Sequence, residues 1–181
     1  HAVRDGDIWR CRVHDRLSGK QVDLTARTVV NAGGAWAMSF PASRVKLRLT
    51  KGVHLVIDRS RLPIPDAVVM AEGKRILFAI PWGERVILGT TDTDYTGDPA
   101  SPTCDEQDVR YVLDVTNFTF ATAHLTHDDV ISAWSGLRPL IADPNGKPSD
   151  ISRAHQIIMT EPGWIDVAGG KLTTYRLMAE Q

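Results

Sequence analysis

Three basic residues stand beside glycine or proline turns in the last quarter of the sequence. Arg138 precedes a proline in "GLRPL", Arg153 ends "ISR", and Lys171 follows two glycines in "GGKLTTYR". Forked arginine donors bind a phosphate dianion well, and a lysine adds a point charge. The pattern therefore indicates an anion site, with surface salt bridges as the alternative for each cation.

The stretch "GGKLTTYR" joins a strand-like run to a helix-like run, and we predict that the final helix begins near Lys171. A lysine at a helix start opposes the helix dipole, whereas backbone N–H groups there bind anions. We therefore expect the lysine to serve a negatively charged ligand.

Other candidate residues lie next to predicted strands. Asn31 to Gly34 form "NAGG", where the glycines allow either close approach to a ligand or a plain tight turn. His54, in "TKGVH", starts a predicted strand and could act as a general base, although a lone histidine is more often structural. Asp92 and Asp94 form a weak candidate cation site, with a hydrogen-bonded strand end as the alternative.

Alternating apolar and polar residues predict a series of strands that would position these side chains. An opening hairpin is followed by a short strand before "NAGG". The later predicted strands are Val45–Leu49, "HLVID", "AVVMAE", "RILFAIPW", "RVILGTTD", "DVISAWSGLRPLIAD", "HQIIMT" and "WIDVA". A helical period appears within "SPTCDEQDVRYVLDVTNFTFATAHL". The class is α+β, with a mostly antiparallel sheet.

Composition narrows the classes of function. The 181 residues carry a formal net charge of -1, which argues against a nucleic-acid partner. Cys11 and Cys104 show no paired metal-ligand spacing, so we expect a reduced, cytoplasmic setting and no metal site. The last residues, "YRLMAEQ", break off inside a helical pattern, and we expect the chain to be a piece of a longer protein.

Six motifs in order carry a resemblance to a known family. They are "NAGGAWA", "RLTKGVHLVI", "LFAIPWGERVILGTTDTDYTGDP", "SGLRPLIAD", "ISRAHQI" and "VAGGKLTTYRLMAE". In this order they resemble the FAD-dependent (aerobic, respiratory) glycerol-3-phosphate dehydrogenase family. The resemblance covers nearly the whole chain and is weakest in about the first two dozen residues.

This resemblance implies a D-amino-acid-oxidase-like flavoprotein with an antiparallel substrate-binding cap inserted into an FAD-binding domain. Residues 44–135 would form the cap, and residues 1–43 and 136–181 would be parts of the FAD-binding domain. The family's Gly-x-Gly-x-x-Gly loop does not occur in these residues. We therefore expect this piece alone to be inactive and to hold FAD weakly or not at all.

The resemblance also implies roles for individual residues. Arg138, Arg153, Lys171 and Thr173 would bind the substrate. His54 and Arg138 would be catalytic, with His54 either as the base or as a group that orients the substrate. The flavin contacts would come from Ala32, Gly33, Trp36, Gly169, Gly170 and Leu172.

The implied reaction is oxidation of glycerol 3-phosphate to dihydroxyacetone phosphate by hydride transfer to FAD. Quinone would accept the electrons, and the enzyme would associate peripherally with the inner membrane through parts outside these residues, with a homodimer left open. An oxidase that uses oxygen is an alternative, and a non-catalytic module that binds phosphorylated ligands is another. A metal-binding domain built on Asp92 and Asp94 is the third.

Overall fold

The computed structural model describes residues 1–73, 75–142 and 154–181, and the chain divides into two compact units. We name Leu49–Arg138 the continuous unit, and His1–Arg48 together with Pro139–Gln181 the split unit. The predicted boundaries of 44 and 135 differ from these by a few residues. The assignment of either unit to FAD or to substrate stays a prediction.

The described residues form strands of two to twelve residues and two α-helices. The strands are β1 (Ala2–Asp5), β2 (Ile8–His14), β3 (Gln21–Ala26), β4 (Val29–Asn31), β5 (Leu47–Asp58), β6 (Val68–Glu72), β7 (Arg75–Trp82), β8 (Arg85–Gly89), β9 (Thr93–Asp94), β10 (Val130–Ile141), β11 (His155–Glu161) and β12 (Trp164–Gly169). The helices are α1 (Glu106–Thr119) and α2 (Tyr175–Glu180). No helix in these parts of the chain is long and apolar enough to cross a bilayer.

One sheet dominates the continuous unit. Its order is β10-β5-β8-β7-β6, with β9 paired to β5. The pairs β5–β8, β5–β9, β6–β7 and β7–β8 are antiparallel. Alternate residues of β5, such as Val53, Leu55 and Ile57, are fully buried and pack with α1 residues such as Val112. Because successive side chains point to opposite faces, His54 and Gly52 lie on the face away from the helix.

The helix α1 begins at a well-formed cap. Asp105 accepts a hydrogen bond from the Asp108 backbone N–H, and the Asp108 carboxylate accepts one from the Asp105 backbone N–H. This reciprocal arrangement satisfies two donors that a helix start would otherwise leave unpaired. The predicted helix is confirmed, with its apolar side against the sheet.

The structure corrects the prediction for the region around His54. Val45–Leu49 and "HLVID" were predicted as separate strands, but β5 runs unbroken through Lys51 and Gly52. Glycine and lysine disfavour a strand only weakly, and pairing with β9 before Gly52 and with β8 after it overrides that preference. His54 therefore lies inside a long strand rather than at the start of one.

The split unit contains two three-stranded sheets. Strands β1, β2 and β3 form an antiparallel meander, which includes the predicted opening hairpin. The second sheet has the order β11-β12-β4. A small core joins Trp9 and Trp164, whose ring centroids lie 5.1 Å apart. The predicted pair of strands in "HQIIMT" and "WIDVA" is the antiparallel hairpin β11–β12.

Strands β12 and β4 are parallel, with Trp164 opposite Val29 and Asp166 opposite Asn31. The turns that follow these two strands, "NAGG" and "GGKLTTYR", therefore leave the sheet in the same direction. This placement matters because ligands of open α/β sheets bind beyond the carboxyl ends of parallel strands.

The final helix starts later than predicted. A single 3-10 turn spans Leu172–Thr174, and α2 begins at Tyr175, four residues beyond Lys171. The Thr174 hydroxyl accepts from the Lys171 backbone N–H at 3.1 Å and donates to the Lys171 carbonyl at 2.9 Å. This local turn delays the helix, so the dipole argument for Lys171 loses its basis.

Candidate functional site

The Arg138 guanidinium is held by three consecutive residues that follow β8. It donates to the Thr90 hydroxyl at 3.0 Å, the Thr91 carbonyl at 3.2 Å and an Asp92 carboxylate oxygen at 3.3 Å. The side chain keeps 29% of its surface exposed. A cation fixed in orientation and still open to solvent suits an anionic ligand.

The guanidinium rests directly on the backbone of Gly52. A Cβ built on Gly52 would lie 2.5 Å from Nη2 and 2.6 Å from Nη1 of Arg138. Any other residue at this position of β5 would displace the guanidinium. The glycine in "TKGVH" is thus explained by close approach of a side chain.

His54 lies on the same face of β5 as Gly52. Its ring stacks on Trp134 with centroids 4.9 Å apart and planes 13° from parallel. Its cross-strand partner is Gly89, where an added Cβ would lie 2.7 Å from the His54 Cδ2. The ring of His54 is therefore positioned by stacking on Trp134 and by the space that Gly89, which has no side chain, leaves for it.

The environment keeps His54 neutral at pH 7. Burial lowers the pKa of His54 below its ordinary value of 6.5, and the nearby positive charge of Arg138 lowers it further. The buried Nδ1 has no hydrogen-bond partner among the described residues. A neutral imidazole beside a fixed cation can accept a proton from a bound substrate. The structure thus brings together His54 and Arg138, the two residues predicted to be catalytic.

On the opposite face of β5, Lys51 forms a buried ion cluster that sequence reasoning missed. Its Nζ donates to Asp108 at 2.5 Å, to Asp105 at 2.8 Å and to the Thr103 carbonyl at 3.1 Å. Burial acts to lower the pKa of Lys51, but the hydrogen bonds that it donates to the two carboxylates raise it overall. The lysine at a core-facing position of a strand was the available signal. Its partners lie more than fifty residues away, so their identity could not be read locally.

Asp92 and Asp94 do not form a metal cluster. Asp92 pairs with Arg138, Asp94 lies in the short strand β9, and no group of three or more metal-ligating side chains occurs in the described ranges. The alternative of a hydrogen-bonded strand end describes Asp92 better than a cation site does.

In the split unit, a buried network fixes the "NAGG" turn. The Asn31 amide donates to Asp166 at 2.6 Å and to the Ala37 carbonyl at 3.0 Å, and its oxygen accepts from the Gly33 backbone N–H. Trp164 and the Arg44 backbone N–H also donate to Asp166. Burial acts to raise the pKa of Asp166, but these donors lower it overall. Sequence reasoning missed this network, although the asparagine before two glycines was a signal.

The residues predicted to contact FAD lie in the two turns of the split unit. Ala32, Gly33 and Trp36 follow β4, and a 3-10 helix spans Gly34–Ser39 with Trp36 half exposed. Gly169 and Gly170 adopt positive φ values of 72° and 81°, which glycine tolerates without strain. Leu172 is 89% exposed.

Of the remaining residues predicted to bind substrate, two lie on the surface and one lies outside the described part of the chain. Lys171 and Thr173 have exposed side chains, and within the described part of the chain the Lys171 amine forms no hydrogen bond or ion pair. Arg153 lies outside the described residues.

Comparison with known proteins decides the family. Residues 1–176 match the family model described as DAO, FAD dependent oxidoreductase. The chain belongs to the FAD-dependent oxidoreductase family. This membership confirms the predicted oxidoreductase class and the fold at the level of mostly antiparallel sheets with few helices. The assignment of the continuous unit as the cap stays a prediction.

Several relatives of this chain carry the name suggested by the motifs. The chain is 39% identical over 98% of its length to the glycerol-3-phosphate dehydrogenase of Mycobacterium leprae, and covers 31% of that protein. It is 40% identical over 93% of its length to the aerobic glycerol-3-phosphate dehydrogenase of Staphylococcus aureus, and covers 32% of it. The chain thus spans about a third of the length of these relatives, and the predicted resemblance is confirmed.

A solved structure agrees with this. The glycerol-3-phosphate dehydrogenase from Bacillus halodurans, complexed with FAD, superposes on 99% of this chain with a TM-score of 0.84 and 40% identity. The superposition covers 36% of that protein.

One turn of the split unit has glycine backbone that fits against part of a flavin. Gly34 has a φ of 55° and open space where a Cβ would stand, and both turns leave the ends of parallel strands. A planar ring can lie against such glycine backbone without meeting side chains. Gly34 offers this open backbone, whereas a Cβ on Gly33, Gly169 or Gly170 would lie within 3.0 Å of atoms of the chain itself.

Proposed function

We propose that the protein containing this chain oxidises glycerol 3-phosphate to dihydroxyacetone phosphate with FAD as its cofactor. The observation that carries the proposal is that the fixed Arg138 guanidinium lies near the neutral, half-buried His54 in the continuous unit. The names of the relatives from Mycobacterium leprae and Staphylococcus aureus support the choice of substrate.

Arg138 binds the phosphate in this proposal. Its orientation is set before the ligand arrives, because Thr90, Thr91 and Asp92 hold the guanidinium over Gly52. The phosphate group lies away from the carbon that reacts. Its binding energy therefore holds that carbon in position for the reaction. The sequence-based substrate roles of Arg153, Lys171 and Thr173 are part of the same proposal.

His54 removes the proton of the C2 hydroxyl. Its lowered pKa keeps the ring unprotonated at neutral pH, and Trp134 holds the plane of the ring. FAD, when bound, supplies the acceptor for the hydride that leaves C2, with Ala32, Gly33, Trp36, Gly169, Gly170 and Leu172 as its contacts. The continuous unit would be the substrate-binding cap, and the split unit would belong to the FAD-binding domain.

We extend the proposal to quinone as the electron acceptor, to peripheral association with the cytoplasmic side of the inner membrane, and to a homodimer as one assembly.

The activity is tested by mixing the full-length protein with glycerol 3-phosphate without oxygen. We expect loss of the oxidised flavin absorption and formation of dihydroxyacetone phosphate. Glycerol, which lacks the phosphate, is the matched control and should reduce the flavin far more slowly. Equal rates with the two compounds would contradict the proposal.

A further inference from the structure

Thr91 occupies a gap in the pairing between β5 and its neighbours. The β5–β8 ladder ends at His54 opposite Gly89, and the β5–β9 ladder begins at Lys51 opposite Thr93. Between these two stretches, the Thr91 hydroxyl accepts from the Val53 backbone N–H at 2.9 Å and lies 3.4 Å from the Lys51 carbonyl. The side chain of Thr91 thus replaces the backbone acceptor that the Val53 N–H would otherwise have in the sheet.

The two backbone groups that Thr91 binds flank Gly52. Gly52 is the residue on which the Arg138 guanidinium rests, and the Thr91 carbonyl accepts a hydrogen bond from the same guanidinium. Thr91 is only 2% exposed, whereas the Asp92 side chain that also contacts Arg138 is 43% exposed. The buried Thr91 therefore contacts the backbone on both sides of Gly52 and also the Arg138 guanidinium.

The burial of Thr91 determines how it can act. Loss of the hydroxyl would leave the Val53 N–H buried without a partner, and the segment of residues 90–92 would shift to relieve that cost. A shift of this segment moves all three acceptors of Arg138 together. Recognition of a phosphate by a forked guanidinium depends on its orientation, so affinity for phosphate should change without any contact between Thr91 and the ligand.

We propose that Thr91 is a positioning residue that orients Arg138 for the phosphate group of the substrate. The proposal rests on the function proposed above, in which Arg138 binds phosphate. It adds a residue that touches no reacting atom. This residue fixes the orientation of the Arg138 guanidinium through the backbone around Gly52.

The test uses the full-length protein and inorganic phosphate as a competitive inhibitor. Thr91→Val, which keeps the shape and removes the hydroxyl, should weaken phosphate inhibition about tenfold and raise the KM for glycerol 3-phosphate in parallel. Thr91→Ser, which keeps the hydroxyl, should stay within about twofold of the wild type. Thr91→Cys, with a similar volume and a weaker hydrogen-bond acceptor for the Val53 N–H, provides an intermediate test if the valine variant does not fold.

Thr116→Val is the matched control. Thr116 is also fully buried in the continuous unit, and its hydroxyl donates to the Val112 carbonyl at 2.7 Å within α1. This variant loses a comparable hydrogen bond and should lower stability while leaving phosphate inhibition unchanged. A general loss of stability would affect both variants alike.

A double-mutant cycle with Arg138→Ala separates the outcomes. If Thr91 acts through Arg138, Thr91→Val should have no further effect on phosphate inhibition in the Arg138→Ala background. The same weakening in both backgrounds, or unchanged inhibition in Thr91→Val alone, would overturn the positioning role. If Arg138→Ala alone leaves phosphate inhibition unchanged, the proposed phosphate role of Arg138 fails, and the inference about Thr91 fails with it.

Discussion

The two units differ in which parts of the chain would contact a ligand. In the continuous unit, side chains would do so: Arg138 and His54 are each fixed by specific neighbours on a sheet. In the split unit, the backbone would do so: the turns after β4 and β12 expose glycines at positive φ, and the Lys171 side chain is exposed. Side chains fixed on a sheet can discriminate charge, whereas a glycine backbone can lie against a flat ring.

This difference predicts how each unit responds to substitution. A fixed side chain depends on a buried polar framework, so small changes beneath it should alter binding. A glycine turn depends on backbone conformation, so side chains along it should matter little for the fold. The following predictions separate these two kinds of construction.

Removal of the Lys51 charge should produce the largest loss of stability. Lys51→Met leaves the buried Asp108 carboxylate without its cation, and the free energy of unfolding should fall by about 3–5 kcal/mol. Urea unfolding of the chain measures the change. Arg110→Met is the control, because its pair with Glu106 is exposed on the same helix and should contribute less than about 1 kcal/mol. Similar losses in the two variants would show that the buried cluster has no special role.

The Asp166 network in the split unit should have a smaller effect. Asp166→Asn places an amide donor near the donating groups of Asn31, Trp164 and Arg44, and should destabilise the fold by about 1–3 kcal/mol. Asp23→Asn, at an exposed carboxylate of the same unit, should cost less.

The same network predicts a pH dependence with a definite sign. The folded pKa of Asp166 is lowered, so its contribution to stability is present above the ordinary value of 3.8 and is lost as the pH falls below it. Urea unfolding across this range should show a shallower decline for Asp166→Asn than for the wild type. Identical pH profiles would mean that Asp166 is not held as a carboxylate.

The His54 titration tests the continuous unit. Its folded pKa is lowered from 6.5, so the unfolded chain binds a proton that the folded chain does not as the pH drops below 6.5. Stability should therefore decrease through that window, and the acid limb of kcat/KM should lie below pH 6.5. An NMR titration of the ring measures the pKa directly. His54→Gln should lack this titration, and a wild-type pKa at or above 6.5 would contradict the description of the site.

Substitution of Lys171 should have the smallest effect on the fold. Its side chain is exposed, and the Thr174 hydroxyl contacts only its backbone, so Lys171→Ser should change stability by less than about 0.5 kcal/mol. Turnover in the full-length protein should nevertheless fall severalfold if Lys171 binds substrate. Lys20→Ser, at another exposed lysine of the split unit, should change neither quantity. A large loss of stability with normal turnover would make Lys171 a structural residue.

The sequence predicted the elements of this fold better than the contacts between them. Alternation located β6, β7 and β8, and the helical period located α1, because each pattern records which face is buried. Alternation did not show that β5 is continuous, since Gly52 and Lys51 interrupt the apolar pattern for reasons that lie elsewhere in the chain.

The candidate site was predicted to a similar depth. Motifs selected Arg138 and His54 as candidate residues. The residues that hold them, Thr90 to Asp92 and Trp134, lie far away in the sequence, so only the structure shows these contacts. The start of the final helix was misplaced because the Thr174 hydroxyl forms a local turn that the helical pattern does not record.

The central claim is that Arg138 in the continuous unit recognises the phosphate of the substrate. It is tested most directly by the ratio of kcat/KM for glycerol 3-phosphate to kcat/KM for glycerol, measured for the full-length wild type and for Arg138→Ala. Loss of charge-assisted hydrogen bonds to phosphate should lower this ratio by about tenfold to a hundredfold, because glycerol has no phosphate to lose. An unchanged ratio, with activity on both compounds reduced equally, would contradict the claim.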